Sequence, residues 1–227
     1  MAKDKTEKLL EFFDREKLPS AEEFKELVVA LDSHQLLAKV FQLEGTPFVF
    51  SGSPTRYTVF REQVADQFDI GSQDVCIVGS AKLGFSPSPG ATKEGKPKYG
   101  TPFSETSDVD VVVVSPEWFD KGQRQLFSTL SRLGPPLYKV RPFVFGNGDP
   151  KKKPTVELAD WKRMKEAVQN FTRNNFNPGH LPNEDSLKQE IFAKITSTSG
   201  LFCALQPKVF VSKIRTRIFY NLSLIHI

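Results

Sequence analysis

The chain has 227 residues, of which 39% are hydrophobic, and a net charge of +4. That apolar content supports a packed core and excludes a disordered chain, while the small positive charge permits a nucleotide or nucleic-acid partner without demanding one. No apolar run approaches the roughly 20 residues that span a bilayer, and two cysteines with no CxxC pair or Cys/His cluster exclude a zinc module. The opening "MAKDKTEKLLEFF" lacks the apolar core of a signal peptide, so a soluble protein of the reducing cytoplasm is expected.

Residues 4 to 16 carry Leu9, Leu10, Phe12 and Phe13 among charges, the pattern of an amphipathic helix. Ser20 and Glu23 have capping-box spacing, which predicts a second helix from there to about Leu43. Its apolar face holds Phe24, Leu27, Val28, Leu31 and Leu36. The pair forms a hairpin over residues 1–45, either a cap on the main core or a surface for dimerisation or a partner.

A helix is predicted from Ser53–Pro54, with proline at its first position and Phe60, Val64 and Phe68 along its buried stripe. "SQDVCIVGS" reads as a short strand ending at Gly79–Ser80, with Cys76 as a small core residue. Residues 84 to 107 form a long loop rich in Gly, Pro, Ser and Lys. Its Lys93, Lys96 and Lys98 suit either a basic lid over phosphates or a solvated insertion. The strand 108 to 114 follows, then a helix with Ser115 as N-cap and Pro116 in its first turn. Trp118 and Phe119 fall on its apolar stripe and read as core. "YKVRPFVF" and "TVEL" read as further strands, and Lys151, Lys152 and Lys153 as a solvated turn. From Ala159 onward the pattern turns helical, around "WKRMKEAVQNF", "EDSLKQEIFAKI" and "PKVFVSKIRTRIFYN". The tail at 222–227 breaks that pattern and resembles translated adapter or vector sequence, which implies a longer natural chain. This order predicts an α/β (α+β) protein: a small mixed-sheet core at 46–160, flanked by the N-terminal hairpin and a helical region at 161–227.

The chemistry concentrates in "SETSDVDVVVVS". Residues i and i+2 of a strand share a face, so Asp108 and Asp110 project together, with Val112 and Val114 beyond them. Val109, Val111 and Val113 line the other face, so the strand is central and covered. Two carboxylates side by side in such a place repel each other and lose hydration. A divalent cation offsets both costs and keeps coordination sites free for phosphates. The bland alternative has Asp108 capping a turn and Asp110 facing solvent. Dehalogenase-type phosphatases and many glycosyltransferases carry their D-x-D after an apolar strand; here the apolar run follows the pair. No G-x-x-x-x-G-K-[ST] occurs, which excludes a P-loop. Upstream, "CIVGSAKLGF" ends a strand on Gly79–Ser80. Glycine there lets a phosphate approach the backbone, Ser80 offers a hydroxyl, and Lys82 is near enough to add charge. An ordinary turn would look the same.

Together "VGS" at 78–80 and "SDVDVVVV" at 107–114 resemble the nucleotidyltransferase superfamily. Polymerase beta, poly(A) and CCA-adding enzymes and the cyclic-dinucleotide synthases share that fold. "VGSAKLGFS…FSETSDVDVVVVS" is especially similar to bacterial proteins known only as nucleotidyltransferase-domain proteins, and the likeness covers residues 45 to 160. It implies that Asp108 and Asp110 bind Mg²⁺ or Mn²⁺ and are catalytic. It implies that Gly79 and Ser80, with Lys82 and Ser107 beside them, hold the incoming nucleoside triphosphate. A third carboxylate normally comes from a later neighbouring strand; Glu157 is the best-placed candidate, with Asp149 and Asp160 as competitors. The gap between Ser80 and Asp108 is longer than the family usually shows.

The expected reaction moves a nucleoside monophosphate from a triphosphate to an acceptor, with release of pyrophosphate. The acceptor could be a nucleotide, an RNA end, a protein side chain or a small molecule. The alternative is a binding or regulatory module that keeps the fold without turnover, as in a defence or toxin–antitoxin system. Charge repulsion within the pair predicts that Asp108→Asn and Asp110→Asn each leave the fold intact or more stable.

Overall fold

The computed structural model describes residues 18–30, 45–92, 95–132, 166–171, 173, 175–181, 185–207, 209 and 213–220. The predicted helix at 4–16, the strands "YKVRPFVF" and "TVEL", Lys93, the Lys151–Lys153 turn, Asp149, Glu157, Asp160 and the 222–227 tail lie outside the described residues. The protein is mixed α and β; the described residues form several helices and one four-stranded sheet.

Chain order begins with helix α1, Ala21–Ala30. The capping box forms as its spacing predicts: Ser20 N donates to Glu23 Oε2 at 2.9 Å, and Glu23 N to Ser20 Oγ at 3.2 Å. Phe24 meets Phe85 edge to face, and the Tyr99 hydroxyl donates to the Ala21 carbonyl, so α1 packs on the long 84–107 loop. That loop is pinned at its base. Phe103 N donates to the Gly84 carbonyl and Ser86 N to the Thr101 carbonyl, both at 2.8 Å, around a Phe85–Pro102 bridge.

Helix α2, Pro54–Phe68, starts on its proline and stops where Asp69 turns left-handed at φ 54°. Phe60, Val64 and Phe68 are fully buried at i, i+4, i+8 spacing. Phe50 packs its ring against Tyr57, Phe60 and Phe202. The short helix α3, Ser80–Leu83, follows the first strand. Helix α4, Pro116–Arg132, is capped by the Ser115 hydroxyl, which accepts from Trp118 N at 3.3 Å. Trp118 and Phe119 are core, as their spacing predicts, and the Trp118 indole donates to the Phe68 carbonyl at 2.8 Å. Helix α5, Ser186–Leu205, begins at Asp185, whose Oδ1 accepts from Leu187 N and Lys188 N while Oδ2 accepts from Gln125 of α4.

The strands are β1 (Val75–Val78), β2 (Asp108–Val114), β3 (Asn175–Phe176) and β4 (Lys213–Phe219). Their spatial order is β1-β2-β4-β3, with β2 antiparallel to β1 and parallel to β4, and β3 antiparallel to β4. One face of the sheet carries Val75, Ile77, Val109, Val111, Val113, Ile214 and Ile218 into the main core under α2, α4 and α5. Each of those fully buried valines stabilises by roughly 1.5–3 kcal/mol relative to an exposed one. The opposite face has a smaller cluster of Cys76, Val112, Val114 and Phe219. Among the described residues, no helix is long and apolar enough to cross a membrane.

The pattern of "PKVFVSKIRTRIFYN" predicts a helix; the structure makes Lys213–Phe219 a strand in the middle of the sheet. Burial alternates along it, with Ile214, Thr216 and Ile218 inside and Lys213, Arg215 and Arg217 outside. A period of two buries one face on β2 and its helices; a helix there would leave the open edge of β2 unpaired. Thr216 is the one polar side chain on that inner face of β4, and its Oγ1 is buried without a hydrogen-bond partner. Thr216→Val keeps the shape and removes the unsatisfied hydroxyl. It should stabilise by about 1 kcal/mol, a rise of about 2–4 °C in melting temperature for a domain this size. A lower melting temperature would place Thr216 elsewhere and overturn the strand register.

Candidate active site

The site is built where β1 ends and β2 begins. Ser104 and Ser107 close the turn before β2: Ser107 N donates to the Ser104 carbonyl at 2.9 Å, and the Ser107 hydroxyl accepts from Ser104 N at 3.0 Å. Ser107 therefore sets the strand's entry. Val109, Val111 and Val113 then fill the core and force Asp108 and Asp110 onto the outer face. The antiparallel register sets Val78 opposite Asp110. The next residue, Gly79, has φ 68° and ψ −144°, a conformation that side chains strongly disfavour. It turns the chain sharply into α3, with Ser80 partly exposed as its first residue. A Cβ at Gly79 would lie 3.7 Å from Asp110 Oδ2, so the glycine turn and the second carboxylate are neighbours. The structure thus brings Gly79, Ser80, Ser107, Asp108 and Asp110 to one end of the β1–β2 pair.

Lys82 reaches a backbone carbonyl. It is almost wholly buried, and its ammonium donates to the Gly45 carbonyl at 2.6 Å. Glu157 and its competitors Asp149 and Asp160 lie outside the described residues. Among the described residues, no group of three His, Cys, Asp or Glu side chains is arranged to hold a metal.

The strand that misread as a helix supplies what sequence reasoning missed. Lys213 pairs in register with Asp108, Arg215 with Asp110 and Arg217 with Val112. Paired residues share a face, so a row of three cations runs beside the two acids. Arg215 Nη2 meets Asp108 Oδ2 at 2.6 Å. The alternation in "KIRTRIF" was the signal that could have found this row.

The two aspartates are not equivalent. Asp108 has its guanidinium partner. Asp110 has a buried Oδ1 with no hydrogen-bond partner. Burial pushes the Asp110 carboxyl above its ordinary value; Arg217 and Arg215 pull it down, and Asp108 pushes it up again. An orphaned carboxylate oxygen beside a second carboxylate and a glycine turn is a hard-oxygen donor set that fits Mg²⁺ or Mn²⁺. Asp108 and Asp110 would hold the ion.

Comparisons with protein-family models, with curated proteins and with solved structures give no match for this chain.

The asymmetry revises the effect expected of the two substitutions. A carboxyl with a raised value in the fold stabilises fully while protonated, and loses that contribution as pH rises through its folded value. Asp110→Asn in EDTA should therefore raise the melting temperature at neutral pH. That gain should shrink to nothing as the pH falls below the ordinary aspartate range. Asp108→Asn, which loses a half-exposed ion pair, should be neutral or cost up to about 1 kcal/mol. Melting curves of both variants from pH 3 to 8 check this. A large loss for Asp110→Asn at neutral pH would make the carboxylate a structural element of the fold.

Proposed function

We propose that the protein is a metal-dependent nucleotidyltransferase that moves a nucleoside monophosphate from a nucleoside triphosphate to an acceptor and releases pyrophosphate. The observation that carries this reading is the convergence of Asp108 and Asp110 on one strand face with the Gly79–Ser80 turn, 3.7 Å from Asp110 to the position of a glycine Cβ. The missing side chain at Gly79 lets a phosphate approach the backbone beside the acids. The Ser80 hydroxyl can donate to a phosphate oxygen. Asp108 and Asp110 hold Mg²⁺ or Mn²⁺, which when bound neutralises charge on the phosphates and eases deprotonation of the acceptor hydroxyl. Phosphoryl transfer of this kind needs positioning and charge more than covalent help. The free thiols of Cys76 and Cys203 favour a reducing, cytoplasmic setting.

A second reading has one observation behind it. Arg215 already neutralises Asp108, on the strand next to the acids. A chain that kept the fold for binding alone would tolerate such a pair.

Incubation with each of the four α-³²P-labelled triphosphates and Mg²⁺ or Mn²⁺, with and without total RNA, separates the two. Label should move onto an acceptor, with pyrophosphate released, and Asp110→Asn should lower the rate at least about 100-fold, as loss of a metal-holding or charge-stabilising group does. Turnover that survives in Asp110→Asn would remove the carboxylate pair from the chemistry, and no turnover with any triphosphate would favour the binding module.

A further inference from the structure

The cationic row on β4 extends the reading above and rests on it. Lys213, Arg215 and Arg217 alternate with Ile214, Thr216 and Ile218, so core burial of the second set fixes the first on the outer face. Arg215 lies in register with Asp110 but reaches along the strand to Asp108, at 2.6 Å. Asp108 is paired, and Asp110, with its buried, partnerless oxygen, is not. The guanidinium holds one oxygen of the carboxylate that an ion shared by both acids would use, and its positive charge repels a cation there. Guanidinium and metal therefore compete for Asp108. The Arg215 side chain is 48% exposed, so it can swing away without opening the core. Its planar fork matches phosphate as well as carboxylate.

We propose that Arg215 is a triphosphate-binding residue which the unliganded protein holds on Asp108, and which moves to the phosphates when a divalent cation takes its place on the carboxylate. Cation binding alone must break the ion pair and strand the guanidinium. Cation binding with a triphosphate gives the guanidinium a second anion. The two ligands therefore bind cooperatively, and by linkage each raises the affinity of the other equally.

The test uses the full chain and two binding readouts, neither of them turnover. Mn²⁺ alone is titrated by electron paramagnetic resonance. A non-hydrolysable triphosphate analogue is then titrated by calorimetry at saturating Mn²⁺. Arg215→Met should bind Mn²⁺ alone about three- to fivefold more tightly than the parent, the range a half-exposed ion pair supports. It should bind the analogue about tenfold more weakly, as loss of a hydrogen bond to a charged group implies. Arg215→Lys, which keeps the charge without the fork, should fall between parent and Arg215→Met for the analogue. Arg217→Met removes the charge that acts most strongly on Asp110 and leaves the Asp108 pair intact, so it controls for the general field; its effect on Mn²⁺ should be smaller. Equal effects of Arg215→Met and Arg217→Met on Mn²⁺, or an Arg215→Met that tightens both ligands or changes neither, would overturn the proposal. A parent chain that binds neither Mn²⁺ nor the analogue would instead remove the nucleotidyltransferase reading beneath it.

Discussion

The alternation of β2 is the constraint on which the rest depends. Five valines and two aspartates share seven consecutive positions. The three odd-numbered valines are fully buried among α2, α4 and α5, which leaves the aspartates no choice of face. A slip of one residue would drive both carboxylates into that core and expose the valines. Neighbouring strands reinforce the choice from either side. On β1, Val75 and Ile77 face inward; on β4, Ile214 and Ile218 do the same. Burial of apolar side chains thus sets the position of the charged ones, and the site is a by-product of the core's register.

What the core does not resolve is the charge itself. Asp110 keeps a buried oxygen without a partner, and burial raises its carboxyl. Proteins rarely leave such an atom unpaired, because desolvation costs about 1–3 kcal/mol when no hydrogen bond replaces water. Asp108 escapes that cost through Arg215. One acid thereby has an ion-pair partner within the fold, and the other keeps an oxygen without a hydrogen-bond partner. Gly79 sits beside that acid in a backbone conformation suited to glycine, so the glycine turn and the unpartnered oxygen occur together.

Much of this was legible in the sequence because the signals were local. The capping box at Ser20 and Glu23, the Pro54 start of α2, the Ser115 cap of α4 and the Asp108–Val114 strand all form where their residues predict. The Trp118 and Phe119 stripe also packs as read. Strand β4 was not legible in the same way. Val211, Ile214 and Ile218 fit helical spacing, while "KIRTRIF" alternates, so the two periods compete within one segment. The open edge of β2 decides between them, and that edge lies about 100 residues upstream, beyond the reach of any local pattern. The same misreading concealed the cationic row, since Lys213, Arg215 and Arg217 face the acids only in a strand. Lys82 is a separate case: closeness in sequence to Gly79–Ser80 suggests a phosphate ligand, and its ammonium donates to the Gly45 carbonyl.

The proposed function requires that Asp108, Asp110 and the Gly79–Ser80 turn form one metal–nucleotide site. Crystals grown with Mn²⁺ and a non-hydrolysable triphosphate test it most directly, by anomalous scattering at the manganese edge. A manganese peak bound by both aspartates is expected, with triphosphate oxygens against Gly79 and Ser80. A triphosphate bound elsewhere, or an Asp108–Arg215 pair intact in crystals saturated with both ligands, would contradict it.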